Sequence, residues 1–432
     1  MKLALFNKLH KAYRILKEMG WRALLQKVIW RLTYIDYRSI YSLEAFYFSN
    51  SMDFSSQHLL MSKRIHQIYS GKLDIRNITW FLPEFGNIYY GGIYTILRFA
   101  DYLKRQRGIE NRFVVLGRGK ESQIAERITK VFPALVNQSV ECFQQYEQVI
   151  DFRSSDAAIA TFWTTAYFLL RFNKTKRKFY FMQDYEPVFY PNGSVFAQVE
   201  ATYRFGFYGI ANTPTLHQIY VQKYGGQADY FMPCVDTNIF YPPEKINNHE
   251  SPPVKIFFYG RPSFTHKGFE LGIQALRLIK KQLGNRVQIV AAGENWNPKQ
   301  YNLDGIIENL GLLDYYKTAE LYRTCRVSLV MNLTRHPSYL PFELMASGTL
   351  VVANYNPATT WLLKDEENCY LAEASATCLA DKIKEGVLNL EERTRIVNNA
   401  SQMIKKRYWN WAEEFDKIYH YMLNPDIASK NK

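Results

Sequence analysis

Three groups of residues in this 432-residue chain have types and spacings suited to holding a charged, polar substrate. Arg261 and Lys267 flank the turn between an apolar run and a helical pattern. Two permanent cations beside a helix N-terminus stabilise charge that grows on a departing pyrophosphate, although a turn with merely solvated cations has the same composition. Asp184 and Glu186 close another apolar run. Carboxylates there are costly unless exposed or paired, so both are expected to face a cleft from the strand's end. Gly91-Gly92 lies between a strand pattern and a helix pattern, where backbone N–H groups can approach an oxyanion; an ordinary tight turn reads alike. Asp184-Tyr-Glu186 is not the Asp-x-Asp of metal-dependent sugar-nucleotide chemistry, so no catalytic metal is expected and the cationic pair takes its place. No Gly-x-Gly-x-x-Gly or Walker loop occurs, which removes the main support for nicotinamide and NTPase readings and leaves no cofactor implied.

The elements that must position these residues alternate. Ile78-Thr-Trp-Phe-Leu-Pro83, residues 112–117, residues 157–162 and residues 178–183 read as buried strands, with helices over residues 93–104 and 124–131 between them. A Pro-rich, aperiodic stretch at residues 241–253 reads as a linker. The alternation then restarts, with strands at residues 254–259, 287–292 and 327–332 and helices at 268–283 and 318–324. Strands and helices in this order predict an α/β chain of two Rossmann-like, doubly wound units facing a cleft, with ligands at the strands' carboxyl ends. The expected divisions are a helical arm over residues 1–75, a first unit over 76–240, the linker, a second unit over 254–400, and a closing segment over 401–432 whose helix packs back on the first unit.

Composition bounds the rest. Charged residues at 22% beside 47% apolar describe a globular chain, and no run approaches the roughly 20 apolar residues of a spanning helix. Five scattered cysteines form no metal knuckle and suit a reduced, cytoplasmic protein. The net charge is +14, and residues 1–40 carry nine Lys or Arg against Glu18 and Asp36. Basic residues opposite Trp21, Leu24 and Leu25 fit an interfacial helix on the anionic inner face of a membrane. A helix packed on the protein's own body fits as well. The apolar stripe rotates near Met19-Gly20, which predicts a kink. Nucleic acid is not an expected partner, because half of the charge excess sits in this arm and no recognition module appears.

Several segments together resemble the retaining family-4 glycosyltransferases, over roughly residues 76–420. They are Trp80-Phe-Leu-Pro-Glu-Phe-Gly86 with Tyr90-Gly-Gly92, Phe181-Met-Gln-Asp-Tyr-Glu186, Ile210-Ala-Asn-Thr213, and Val235-Asp-Thr-Asn-Ile-Phe240. Gly260-Arg-Pro-Ser-Phe-Thr-His-Lys-Gly268 and His336-Pro-Ser-Tyr-Leu-Pro-Phe-Glu-Leu-Met-Ala-Ser-Gly348 follow. The resemblance is nearest to the branch that builds rhamnose-containing bacterial surface glycans. It implies the GT-B architecture, with an acceptor domain first and a nucleotide-sugar domain second. It makes Arg261 and Lys267 the diphosphate-binding pair, acting with Asp184 in catalysis, and places Gly91 and Gly92 at the donor. Glu343 matches the glutamate that holds the ribose hydroxyls. The family's other glutamate falls at Arg335, so His336, Ser338 and Tyr339 are expected to replace its grip on the donor sugar. The implied reaction moves L-rhamnose from dTDP-L-rhamnose to a lipid-linked glycan at the inner membrane face, reached through residues 1–40. GDP-mannose or UDP-hexose donors, and a catalytically degenerate sugar-binding subunit, are the alternatives.

Overall fold

The apolar runs become thirteen strands among the described residues. These residues, in a computed structural model, are 37–89, 91–243 and 252–428, with Tyr13, Leu16, Lys17, Gly20, Trp21, Leu24 and Leu25 from the arm. The first sheet holds β1 (Asn77–Pro83), β2 (Glu110–Leu116), β3 (Ser139–Phe143), β4 (Ser155–Ala160), β5 (Thr175–Met182), β6 (Tyr208–Ala211) and β7 (Ala228–Tyr230). Its order is β3-β2-β1-β4-β5-β6-β7, and every pairing is parallel, with Trp80 opposite Phe113 and Ile159 in register. The second sheet holds β8 (Val254–Tyr259), β9 (Val287–Ala292), β10 (Ile307–Asn309), β11 (Val327–Val330), β12 (Leu350–Asn354) and β13 (Tyr370–Ala372). It is parallel too, in the order β10-β9-β8-β11-β12-β13. In each sheet the strand order reverses beside the first strand, between β1 and β4 and between β8 and β11. Crevices that take ligands open at such points.

Parallel sheets need cover on both faces, and successive strand residues serve opposite faces. Trp80 packs with Phe99, Phe113 and Phe181 on one side of the first sheet, while Phe81 packs with Trp163, Tyr167 and Tyr180 on the other. Ile256 and Phe258 face one core of the second unit, Phe257 the other.

The chain crosses between the units twice, and the crossings touch. Phe231 belongs to a core of the first unit and Val235 to one of the second. On the return, Tyr408 lies in the second unit and Phe415, from the helix Trp411–Leu423, in the first. The Val235 amide donates to the Tyr408 carbonyl at 2.8 Å, so both crossings share one hinge. The buried Arg177 guanidinium anchors the far end of the returning helix. It donates to the carbonyls of Met422 at 2.9 Å and Leu423 at 2.7 Å, and also to those of Tyr69 and Gly71.

Ahead of β1, the helices Tyr37–Ser51 and Ser56–Ile68 lie on the first unit. Most of the basic stripe expected over residues 1–40 lies outside the described residues. Within it, Tyr13, Leu16, Trp21 and Leu25 are exposed, and Gly20 has φ +83° where the stripe rotates. Of the Pro-rich stretch, residues 244–251 lie outside the described residues. No helix among the described residues is long and apolar enough to cross a membrane.

Candidate functional site

The cations stand at the carboxyl end of β8. After Tyr259 the chain passes Arg261, makes the 3₁₀ turn Thr265–Lys267 and enters the helix Phe269–Leu283. Gly268 joins turn to helix at φ +54°, and a β-carbon there would meet the Met331 side chain at 3.1 Å. Glycine thus lets Lys267 sit close to the end of β11. Burial lowers the Lys267 ammonium's pKa; the Asp184 charge opposes that shift and Arg261 adds to it. The Arg261 guanidinium lies 3.9 Å over the Phe264 ring and donates to the Tyr259 hydroxyl at 3.3 Å. Two cations and one carboxylate from opposite units therefore share one corner of the cleft.

Asp184 follows β5. Its Oδ1 accepts the Tyr185 amide at 2.7 Å and, across the cleft, the Arg335 amide at 3.2 Å. Burial pushes the carboxyl up to about 6, although the Thr334 hydroxyl, both amides and the Lys267 charge favour the carboxylate. The turn is braced by the Tyr203 hydroxyl, which donates to the Asp184 carbonyl at 3.0 Å and accepts from the Glu186 amide at 3.1 Å. Glu186 departs from expectation. It points away from the cleft, only 2% exposed, and accepts from the Trp163 amide at 2.7 Å and the Tyr180 hydroxyl at 3.0 Å. Burial pushes its carboxyl up to about 8 against the pull of these two donors, so it sits inside as a hydrogen-bonded acid and supports the loop that carries Asp184.

The loop after β11 is shaped by buried asparagines. Asn332 donates to the His336 carbonyl at 2.7 Å, and Asn356 donates to the Thr334 carbonyl at 2.7 Å. His336 is buried, and its Nδ1 accepts the Ser338 amide at 2.9 Å. That bond requires an unprotonated Nδ1, and burial lowers the imidazole to about 3, so the ring is neutral with its proton on Nε2. Ser338 holds φ +66°, a left-handed conformation that a non-glycine residue adopts at a cost. Tyr339 crosses to the first unit. Its hydroxyl is bonded to the Thr95 hydroxyl and the Asn212 amide, each at 2.7 Å.

This crossing gives the glycine turn a packing duty. A β-carbon on Gly91 would stand 2.9 Å from the Tyr339 ring. Gly91 opens the helix Gly91–Arg107, and the Gly92 carbonyl accepts from Gln183 at 3.1 Å. The turn therefore lies where the two units meet, with an aromatic ring of the second unit against it.

Below Tyr339, a cavity of about 160 Å³ runs between the units, lined by Tyr94 and Arg98 on one side and Tyr259, Tyr322 and Glu343 on the other. Glu343 comes from the short helix Leu340–Ala346. Burial and the nearby Asp236 charge push its carboxyl up to about 8, against the pull of Arg98. Arg98 pairs with Asp236 through both terminal guanidinium nitrogens, and the Tyr315 hydroxyl donates to Asp236 at 3.2 Å. Burial opposes the Arg98 charge, but the Asp236 bonds outweigh it and hold its pKa up. The Tyr94 and Trp411 rings flank the guanidinium at 4.8 Å each.

Asp184, Arg261, Lys267, His336, Ser338, Tyr339, Glu343, Gly91 and Gly92 thus all border the cleft. Thr95, Asn212, Arg98 and Asp236 were not singled out by sequence. Thr95 falls one helical turn after Gly91, while Asn212 and Asp236 sit inside quoted segments. Among the described residues, no three His, Cys, Asp or Glu side chains gather as a metal site.

Comparison with known proteins agrees with this architecture. Residues 85–213 match the N-terminal domain of WsaF, and residues 254–384 match its C-terminal domain. The O-antigen biosynthesis protein RfbC of Myxococcus xanthus is 40% identical over 352 residues, covering 81% of this chain but only 27% of that protein. HepE of Anabaena, solved with UDP and glucose, superposes with a TM-score of 0.62 at 15% identity, over 81% of this chain and 99% of its own. Sucrose-phosphate synthase of Thermosynechococcus elongatus gives 0.62 at 15% identity, over 80% and 99%. TarM gives 0.64 at 12% identity, over 82% and 99%. With both matches in chain order on two facing parallel sheets, the chain carries the N- and C-terminal domains of WsaF on the GT-B glycosyltransferase fold.

Proposed function

We propose that the protein is a retaining, metal-independent glycosyltransferase of bacterial surface-glycan synthesis. It moves a hexose, in first place L-rhamnose from dTDP-L-rhamnose, to a growing glycan. The observation that carries this reading is the shared corner of Arg261, Lys267 and Asp184 at the strands' carboxyl ends. Arg261 and Lys267 bind the diphosphate and stabilise the charge that builds on it as the glycosidic bond breaks. Asp184, held by amides from both units, orients the sugar or the attacking hydroxyl. Glu343 takes the ribose hydroxyls, and His336, Ser338 and Tyr339 shape the sugar pocket where Arg335 stands in place of a glutamate. The likeness to a protein of O-antigen biosynthesis supports the surface-glycan setting, and a relative in fold solved with UDP-glucose supports a nucleotide-sugar donor.

The acceptor is a lipid-linked glycan, and the basic arm over residues 1–40 brings the cleft to the membrane that carries it. The test is incubation with dTDP-L-rhamnose, GDP-mannose and UDP-hexoses, followed by nuclear magnetic resonance of the product. A product from one donor, with the donor's anomeric configuration kept, supports the reading. Inversion, or no product with any donor, overturns it.

A further inference from the structure

The cavity between the units is walled by flat rings. Tyr89 and Tyr94 come from the first unit, and Tyr259, Tyr315 and Tyr322 from the second. Three of them cluster across the cleft. The Tyr89 and Tyr315 rings lie 17° from parallel with their centroids 6.0 Å apart. Tyr94 adjoins both, at 5.7 Å from Tyr89 and 5.3 Å from Tyr315. Two of the three have other duties. Tyr94 packs on Phe132 at 5.2 Å and lies 4.8 Å under the Arg98 guanidinium, and the Tyr315 hydroxyl is bonded to Asp236. Tyr89 differs. It stands in the loop after β1, two residues before Gly91, and is 40% exposed, yet it is laid flat on a ring of the opposite unit. Its amide donates to the Asn87 side chain at 3.0 Å, which fixes the loop that presents the ring.

The second unit completes the cavity with Leu312, Leu313 and Gly293. A β-carbon on Gly293 would stand 2.6 Å from the Tyr259 ring and 3.2 Å from the Arg261 side chain. Glycine there keeps the cavity open up to the cation. One cavity therefore has Arg261 at its border, the Glu343 carboxyl in its wall and a bank of aromatic rings beside apolar leucines. These match the three chemistries that a nucleoside diphosphate presents: anionic phosphates, ribose hydroxyls and a flat π-face. Bases of every kind stack on aromatic side chains, because every base has such a face.

We infer that Tyr89 stacks on the nucleobase of the donor, so that the first unit holds the base while the second holds the ribose and the diphosphate. Tyr94 and Tyr315 back the Tyr89 ring and keep it at the cavity's edge. The cluster draws rings from both units, so it is complete only when they stand together. A base bound against it favours that arrangement over an open cleft. The inference rests on the reading of the cleft as a nucleotide-sugar site and adds to it the residue that covers the base.

The test is titration of dTDP, UDP, GDP and inorganic pyrophosphate into the full chain and into Tyr89→Leu and Tyr89→Phe. Tyr89→Leu should bind the parent's preferred nucleoside diphosphate about fivefold or more weakly, the usual loss when a stacked ring is removed. Pyrophosphate has no base and should bind the parent and this variant alike. Tyr89→Phe keeps the π-face and should match the parent. Both variants should keep the parent's melting temperature; should Tyr89→Leu misfold, Tyr89→Gln serves the same purpose. Parental nucleotide affinity in the folded leucine variant would overturn this inference and leave the donor reading intact. So would an equal loss in Tyr89→Phe, or an equal loss for pyrophosphate. A parent that binds no nucleoside diphosphate would overturn the donor reading and this inference together.

Discussion

The Tyr339 ring lies 2.9 Å from the position that a β-carbon on Gly91 would occupy, and its hydroxyl is held by Thr95 and Asn212. The ring cannot yield without losing those bonds. Gly91→Ala should therefore destabilise the protein by about 1–3 kcal/mol, the usual cost of overpacking. Tyr339→Ala removes the obstruction, so Gly91→Ala should cost much less in its presence. Denaturant midpoints of both single variants and the double variant test this coupling.

Arg177 is a second long-range tie. It is buried, and its donors are shared among carbonyls that end the returning helix and the segment ahead of β1. Arg177→Ala removes the donor to the buried Met422 carbonyl and loosens the ties to Tyr69 and Gly71, and should cost about 1–3 kcal/mol. Arg177→Lys should recover little, because an ammonium cannot span the same acceptors. Urea unfolding provides the measurement.

Acidity of the cleft gives a pH signature. The Asp184 carboxyl is held up to about 6, from an ordinary 3.8. Between those values the folded protein keeps a proton that the unfolded chain has released. This group's contribution to stability therefore falls as pH rises through that window and levels off above about 6. Transfer that needs the carboxylate should rise through the same window. Asp184→Asn should abolish the rise together with most activity. His336, lowered to about 3, should contribute no inflection above pH 4. A rise through about 6 that survives in residual Asp184→Asn activity would assign the titration elsewhere.

Metal independence is also open to direct measurement. The sequence lacks an Asp-x-Asp pair, and Arg261 with Lys267 is proposed to balance the diphosphate charge. Transfer should persist in excess EDTA. Complete loss, restored by a divalent ion, would overturn the mechanism.

Much of the frame was legible because it is local. Alternation around Trp80 and Phe81, and again around Ile256 to Phe258, encodes strands covered on both faces. The turn from Arg261 to Lys267 lies between a strand and a helix that the pattern predicts. Contacts made across the hinge were not legible. Tyr339 meets Thr95 over a separation of 244 residues and Arg98 meets Asp236 over 138, and nothing in either neighbourhood specifies the partner. The inward turn of Glu186 has a related cause. Its burial depends on the Trp163 amide and the Tyr180 hydroxyl, and the amide comes from a different strand–helix junction.

The most direct test of the central claim is calorimetric titration of dTDP, UDP and GDP into the parent and into Arg261→Ala and Lys267→Ala. The account predicts that the parent selects one diphosphate. Each variant should stay folded but bind that diphosphate far more weakly, with transfer lowered by about 10² or more. Near-parental diphosphate affinity in both variants, or no diphosphate bound by the parent, would contradict the account.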